Sequence, residues 1–290
     1  MKQNNEHSNL DSVDLKSKEF FSGGAFRWKK NSDEVWAAID RRIKDRPQSR
    51  LLSVNFRVVK WMAAASLVIL FSVGSFMRFY VVSVVSSAGQ HAEAILPDQS
   101  TVKLNAQSAI AYHPYWWRFS RTLELKGEAF FEVEKGRKFT VSSQKGITQV
   151  LGTSFNIFAR EDIYKVTCVT GTVRVKSGQG HEVVITPNSK AEISPGGEIR
   201  VFTNIETFPE ISWKKNIFIF TATPVYQVFH EIERQYGISI DAQVDANSLY
   251  SGNFTKEQNV EEILAYVCPA LGLKFVRTSG GGYLISRNDE

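Results

Sequence analysis

The chain has 290 residues, of which 43% are hydrophobic, 12% aromatic and 22% charged, with a net charge of +5. It is too apolar for a disordered chain and long enough for about two folded units. Two cysteines, Cys168 and Cys268, are too few for a disulfide framework and show no metal-ligand spacing, and their apolar surroundings suit buried free thiols.

The N-terminal 57 residues are polar and basic. Residues 1–18 lack apolar periodicity, and Phe20-Phe21 form a small apolar anchor before a glycine break. Ser32, followed by Asp33 and Glu34, predicts a helix start, and Pro47 predicts its end. Val35, Trp36, Ile39 and Ile43 then share one helical face, with Trp28 just upstream. One amphipathic helix cannot bury a core alone, so this face either lies on a membrane, packs loosely within its own segment, or docks a partner protein.

From Trp61 to Met77 there is no charged residue, and apolar residues extend the run from Val58 to Val82 across Lys60 and Arg78. This length suits a transmembrane helix over 58–82, with Trp61, Phe79 and Tyr80 at interface positions. The alternative is a buried core helix, but one packed at the edge of a soluble core would carry a polar stripe at helical spacing, and none recurs here. The run starts too late for an ordinary signal peptide. Residues 1–60 hold 13 Lys and Arg against 8 Asp and Glu, so all the net charge precedes the span. The positive-inside rule then places residues 1–57 in the cytoplasm and the larger C-terminal part outside.

After the span the hydrophobic period becomes two. Short strands are expected at 101–104, 122–125, 131–134, 139–141, 153–158, 164–169, 172–175, 183–185, 191–193 and 199–202. Turn signals separate them, including Pro97-Asp98, Lys126-Gly127, Gly152 and Gly171. Many short strands at this spacing predict an antiparallel all-β sandwich or roll over about 88–205. From 211 to 287 a helix–strand unit occurs twice. Val225, Val228, Phe229, Ile232 and Tyr236 repeat the spacing of Val260, Ile263, Leu264, Val267 and Leu271. Asn259 and Glu262 form a capping-box pattern, Gly237 and Gly272 stop the helices, and Pro269 should distort the second. A small α+β domain with both helices on one sheet is expected. The whole is a single-pass membrane protein with a short helical cytoplasmic segment.

Chemistry is sparse. The five histidines are isolated, and no nucleophile, phosphate-loop or metalloprotease motif occurs. Glu132 and Glu134 share a strand face, which is ordinarily a solvated one. Trp116-Trp117, with Tyr112 and Tyr115 nearby, could be a sugar-stacking platform or aromatics packing a loop over the sheet.

Four stretches resemble one family. These are Leu96-Pro97-Asp98-Gln99-Ser100 running on to Leu104-Asn105-Ala106-Gln107-Ser108; Gly127-Glu128-Ala129-Phe130-Phe131-Glu132-Val133 with Phe139-Thr140-Val141; Val150-Leu151-Gly152-Thr153-Ser154-Phe155-Asn156-Ile157; and Val169-Thr170-Gly171-Thr172-Val173. In this order over about a hundred residues they resemble the FecR-type transmembrane anti-sigma factors. Gln99 stands where a turn glycine is usual, and Lys138 where proline is common. The motif residues Leu96, Pro97, Asp98, Gly127, Glu128, Phe131, Gly152, Thr153, Phe155 and Gly171 read as framework. The Trp213…Phe218…Phe220…Pro224 opening resembles the family's C-terminal domain, which is similar to the short N-terminal domain of secretins and TonB-dependent transducers. That likeness implies a periplasmic partner-binding module, with a structural cap as the alternative.

The resemblance implies no enzyme activity and no cofactor. It implies an inner-membrane regulator that relays a signal from the signalling domain of an outer-membrane TonB-dependent transducer to a cytoplasmic extracytoplasmic-function sigma factor. The sigma factor would dock on Trp28, Val35, Trp36, Ile39 and Ile43. A lone helix has no packed partner with two states, so stepwise cleavage by envelope proteases is the expected relay. Ser72, Gly74 and Ser75 mark a weakened part of the span where cleavage could occur, although helices also tolerate small residues without consequence. The rival from another class is a membrane-tethered periplasmic carbohydrate- or envelope-binding protein using the Trp116-Trp117 region.

Overall fold

The computed structural model describes residues 29–45, 55–244 and 248–288. In the N-terminal part it contains helix α1 (Ser32–Lys44). Asn31, in extended backbone, is the N-cap, and Ser32 is already helical, so the expected Ser32 cap moves back by one residue. Asp33 and Glu34 occupy the first turn and Arg41, Arg42 and Lys44 the last, which complements the helix dipole at both ends. Pro47 and Trp28 lie outside the described residues.

Helix α2 (Phe56–Phe79) has 24 residues, none of them buried. At about 1.5 Å per residue it is about 36 Å long, enough to cross a hydrocarbon layer of roughly 30 Å. Protein would cover a core helix of this composition, and among the described residues none buries any position of this one. The expected span of 58–82 shifts toward the N-terminus. The helix stops at Phe79, and Val82 already pairs with Tyr112 in a sheet. Val82, Val84 and Val85 are β-branched and find a ladder partner there, which outweighs continuing the helix.

The β part holds thirteen strands: β1 (Val82–Ser86), β2 (Ala92–Ile95), β3 (Thr101–Leu104), β4 (Ser108–Tyr112), β5 (Arg121–Glu132), β6 (Phe139–Ser142), β7 (Gly146–Val150), β8 (Ser154–Arg160), β9 (Ile163–Thr170), β10 (Val173–Ser177), β11 (Glu182–Ile185), β12 (Ser189–Ile193) and β13 (Ile199–Thr203). They make one sheet folded at β5. One half runs β11-β10-β7-β6-β5-β4-β1 and the other β2-β3-β5-β8-β9-β12-β13. The free ends approach each other, β1 beside β2 and β11 beside β12 and β13, so the sheet is close to a barrel.

The fold line is Gly127. Sequence alone reads Lys126-Gly127 as a turn between two strands, yet both stretches belong to one twelve-residue strand. Residues up to 126 pair with β4 and β6, and residues from 127 onward pair with β3 and β8. Gly127 has φ +91°, and a Cβ there would sit 2.5 Å from the Ser108 Oγ. Only glycine lets the strand bend this sharply against its neighbour. The β5–β6 pairing is parallel, a departure from the expected antiparallel pattern. Strands β1, β2, β4 and β7 are additions to the sequence reading. Two of them, Ala92-Glu-Ala-Ile95 and Ser108-Ala-Ile-Ala-Tyr112, are built largely of residues with weak strand preference.

Phe131 and Phe155 are cross-strand partners whose rings stack at 5.0 Å, and Phe139 meets Phe131 edge-on. The first half of β5 alternates buried and exposed, while its second half is buried on both faces. Ala129 and Phe131 point into the β core, whereas Phe130 joins a second core formed by the C-terminal residues.

That second part begins with helical turns at Phe208–Ile211 and Ser212–Lys215. It continues as β14 (Ile217–Pro224), α3 (Val225–Tyr236), β15 (Ile240–Ala242), β16 (Leu249–Thr255), α4 (Val260–Val267), β17 (Leu273–Arg277) and β18 (Tyr283–Arg287). Instead of one sheet there are two, β14–β16 and β15–β18–β17. Phe-Thr occurs ahead of each helix, at Phe220-Thr221 and Phe254-Thr255, and both pairs lie on the paired strands β14 and β16, where Phe218 stacks on Phe254 at 5.0 Å. The Asn259–Glu262 capping box forms in both directions. Gly237 and Gly272 are left-handed helix stops, each at φ +67°. Pro269 opens a separate turn, Pro269–Leu271, so α4 ends before it.

Candidate functional site: an exposed helix face and a buried polar junction

The expected docking residues on α1 share one uncovered face. Val35, Trp36, Ile39 and Ile43 are all exposed, Trp36 to 68%. Ser72, Gly74 and Ser75 are exposed along α2, and a Cβ at Gly74 would meet nothing within 4 Å.

The family-motif residues gather at turns and in the core. Gln99 has φ +69°, the left-handed conformation that glycine adopts at no steric cost. Asp98 accepts hydrogen bonds from the Ser100 backbone N–H (3.2 Å) and hydroxyl (2.9 Å), and from Arg121 Nε at 2.6 Å. The buried Arg121 guanidinium also donates to the carbonyls of Arg137 (2.7 Å) and Glu134 (3.0 Å). Asp98 thereby ties the Leu96–Ser100 turn to the start of β5. Gly152 passes so close to Lys135 that a Cβ would come within 2.7 Å of its Cα. Thr153 accepts from the Val133 N–H and packs beside Gly171.

Glu128 departs from this pattern. It is a carboxylate buried to 6% exposure on β5, facing the C-terminal part. Asn105 Nδ2 donates to one of its oxygens and Asn156 Nδ2 to the other, both at 2.8 Å. Helix α3 brings Glu231, Arg234 and Gln235 against this site. Gln235 Nε2 donates to Asn105 Oδ1 (2.7 Å) and to Glu231 Oε1 (2.8 Å), while Arg234 donates to Glu231 Oε2. Trp213 Nε1 donates to Asn156 Oδ1 at 3.4 Å. Arg160 donates to the carbonyls of Ala106 and Gln107. Beyond it, Glu161 bonds His230 at 2.6 Å and lies 3.6 Å from Arg234. A small cavity of about 110 Å³ opens here, with Glu128, Glu161, Trp213, Glu231 and Arg234 in its wall.

The electrostatics follow from burial. Desolvation raises the Glu128 carboxyl above the usual range, the Glu231 charge adds to the effect, and Arg160 and the two asparagines oppose it. Burial works against ionising Glu231 as well, but Arg234 and Arg160, with the hydrogen bonds, hold its pKa below the usual value. Burial lowers the His91 imidazole, Lys256 lowers it further, and the ring meets Trp213 edge-on at 5.4 Å. A buried charged network, hydrogen-bonded at most of its polar atoms but without a partner at Arg160 Nε and Gln235 Oε1, favours one arrangement of two packed bodies. It has no nucleophile aimed at a substrate position. Both cysteines are buried and free, and burial pushes each thiol up to about 11. Among the described residues no group of three or more His, Cys, Asp or Glu could hold a metal ion.

Sequence reasoning assigned Glu128 to the framework and overlooked Arg160, Glu231, Arg234 and Gln235. The signal was the composition of α3, where three polar residues flank the apolar Ile232 on neighbouring helical positions. The aromatic pair separates. Trp117 is buried and packs edge-on against Tyr112 and Phe139, while Trp116 lies against Phe119. The two indoles present no common stacking surface.

A sheet bent at one glycine and a small α+β part packed on it through buried charges define a predominantly β architecture with an apolar helix ahead of it. Residues 83–174 match the family of the FecR protein, and residues 217–285 match the FecR C-terminal domain. The chain belongs to the FecR family. Two crystal structures of a protein from Parabacteroides distasonis named a "putative anti-sigma factor" are similar, with TM-scores of 0.67 and 0.66. Each is 25% identical and covers 72% of this chain and 100% of its own. None of the curated proteins matches this chain.

Proposed function

We propose that the chain is a membrane-anchored anti-sigma regulator. The observation that carries this reading is the apolar face of α1, left exposed by the described residues and followed in the chain by an exposed membrane-length helix. Such a face needs a partner, and Trp36 with Ile39 and Ile43 has the aromatic and aliphatic character of an interface anchor. The family match and the name of the similar structures favour a sigma factor of the extracytoplasmic-function class as that partner. The basic residues before α2 favour a cytoplasmic N-terminus. The β part and the C-terminal part would then stand in the periplasm and receive the signalling domain of a TonB-dependent transducer. Release of the N-terminal fragment by envelope proteases, with the cut near Ser72, Gly74 and Ser75, completes the relay.

The test uses the full chain in the membranes of its own cells and reads which extracytoplasmic-function sigma factor co-purifies with it. Trp36→Ala combined with Ile39→Ala abolishes co-purification of the sigma factor and leaves the chain in the membrane fraction. Undiminished co-purification would show that another surface binds, and reporter fusions placing both termini in one compartment would overturn the topology.

A further inference from the structure

Only Tyr80 and Val81 separate α2 from β1, so the β part has no flexible stalk. The loop after β4, residues 113–120, lies directly against the end of the helix. His113 Nδ1 is 3.1 Å from the Tyr80 carbonyl oxygen. The Tyr115 ring lies 5.4 Å from that of Tyr80 and 5.9 Å from that of Phe76, a full turn back inside the helix. The Arg78 guanidinium sits 5.6 Å over both the Phe79 and Trp116 rings, and Trp116 is 4.7 Å from Phe119. Trp117 anchors the loop by turning into the β core. Its neighbours turn the other way: Tyr115 is 49% exposed and Phe119 65% exposed.

The geometry points to this loop as a foot that rests in the headgroup layer of the membrane crossed by α2. The proposal rests on α2 being a membrane span. If Phe76 lies within the last apolar turn, a ring packed against it is at the depth of the bilayer interface. Aromatic rings with one polar edge favour that depth, and arginine can reach from it to phosphate. Tyr115, Trp116 and Phe119 would otherwise be an aromatic cluster open to water. The nearby cleft of about 340 Å³, lined by Arg78, His113, Trp116 and Glu124, has room for part of a headgroup. The consequence is mechanical. The β part is seated on the membrane by two attachments, the helix and the loop, so a force on it reaches the span directly.

Depth-dependent quenching in the full chain, reconstituted into phosphatidylcholine–phosphatidylglycerol nanodiscs, tests this. A fluorescent thiol label is placed singly by Phe119→Cys, by Leu70→Cys in mid-helix, and by Val184→Cys on β11 at the far edge of the same half-sheet. The two native thiols are buried and unreactive. Nitroxide on the lipid headgroup should remove most of the emission at 119 and little at 184, and nitroxide on the acyl chain should quench 70. Equal, weak quenching at 119 and 184 with strong quenching at 70 would overturn the foot alone. Absence of quenching at 70 would overturn the membrane span and the foot together.

Discussion

Helices α1 and α3 look alike in the sequence and have opposite fates in the fold. They have 13 and 12 residues, and each carries an apolar stripe at helical spacing. No residue of α1 is buried. In α3 seven are, including the charged Glu231 and Arg234. An apolar stripe states that a helix face needs cover. Whether the cover is in the same chain depends on what packs beside it. For α3 the cover is the C-terminal core on one side and the polar wall of β5 and β8 on the other.

The widest separation between the two helices should come from truncating their largest apolar side chains. Phe229→Ala in α3 is expected to lower stability by about 3–5 kcal/mol, since it empties a fully packed site. Trp36→Ala in α1 should change it by less than about 0.5 kcal/mol. Chemical denaturation of the detergent-solubilised chain measures both, and a large loss at Trp36 would mean that α1 is covered within the chain.

The polar side of α3 gives the next effect. Glu231→Ala leaves Arg234 and Arg160 without their shared carboxylate in a buried setting, and a loss of about 3 kcal/mol follows. Proteolysis between the β part and the C-terminal part should accelerate with it. If stability and protease resistance are unchanged, the junction is solvated and the buried-network description is wrong.

A pH effect is the smallest. Burial depresses the folded-state pKa of His91 below its ordinary 6.5. A depressed histidine stabilises the fold above its unfolded pKa, and that contribution is lost as pH falls through the folded value. Melting temperature should therefore drop as pH falls below the ordinary histidine value of 6.5, and His91→Phe should make that drop smaller. Glu128 has the opposite sign, since its raised pKa favours the fold below the ordinary carboxylate value of 4.5 and costs stability as pH rises through the folded one. The two slopes have opposite signs, so an unchanged acid slope in the His91 variant would remove histidine from the account.

Most strand positions were legible because alternation survives wherever one sheet face is wet. Thr101–Leu104 appears as read, the strand read at 164–169 lies within Ile163–Thr170, and the one read at 172–175 runs Val173–Ser177. Alternation failed in the second half of β5, where both faces are covered, and at Lys126-Gly127, where a glycine that reads as a turn is a bend inside a strand. Glu128 was visible only as part of a motif. Its hydrogen-bond partners Asn105 and Asn156 are 23 and 28 residues away, and Gln235, which bonds Asn105, is 130 residues from that asparagine, so no local pattern marks the cluster.

By itself the sequence determined what is local: an uncharged membrane-length run, a basic segment ahead of it, strand and helix periods, caps and stops. These depend on neighbours a few residues apart, which the chain order supplies. The tertiary structure alone decided that β5 serves both halves of the sheet, that the polar face of α3 is buried, and that the 113–120 loop meets the end of the membrane helix. Each of those depends on which distant surfaces exclude water from one another, and that is set only when the whole chain has packed.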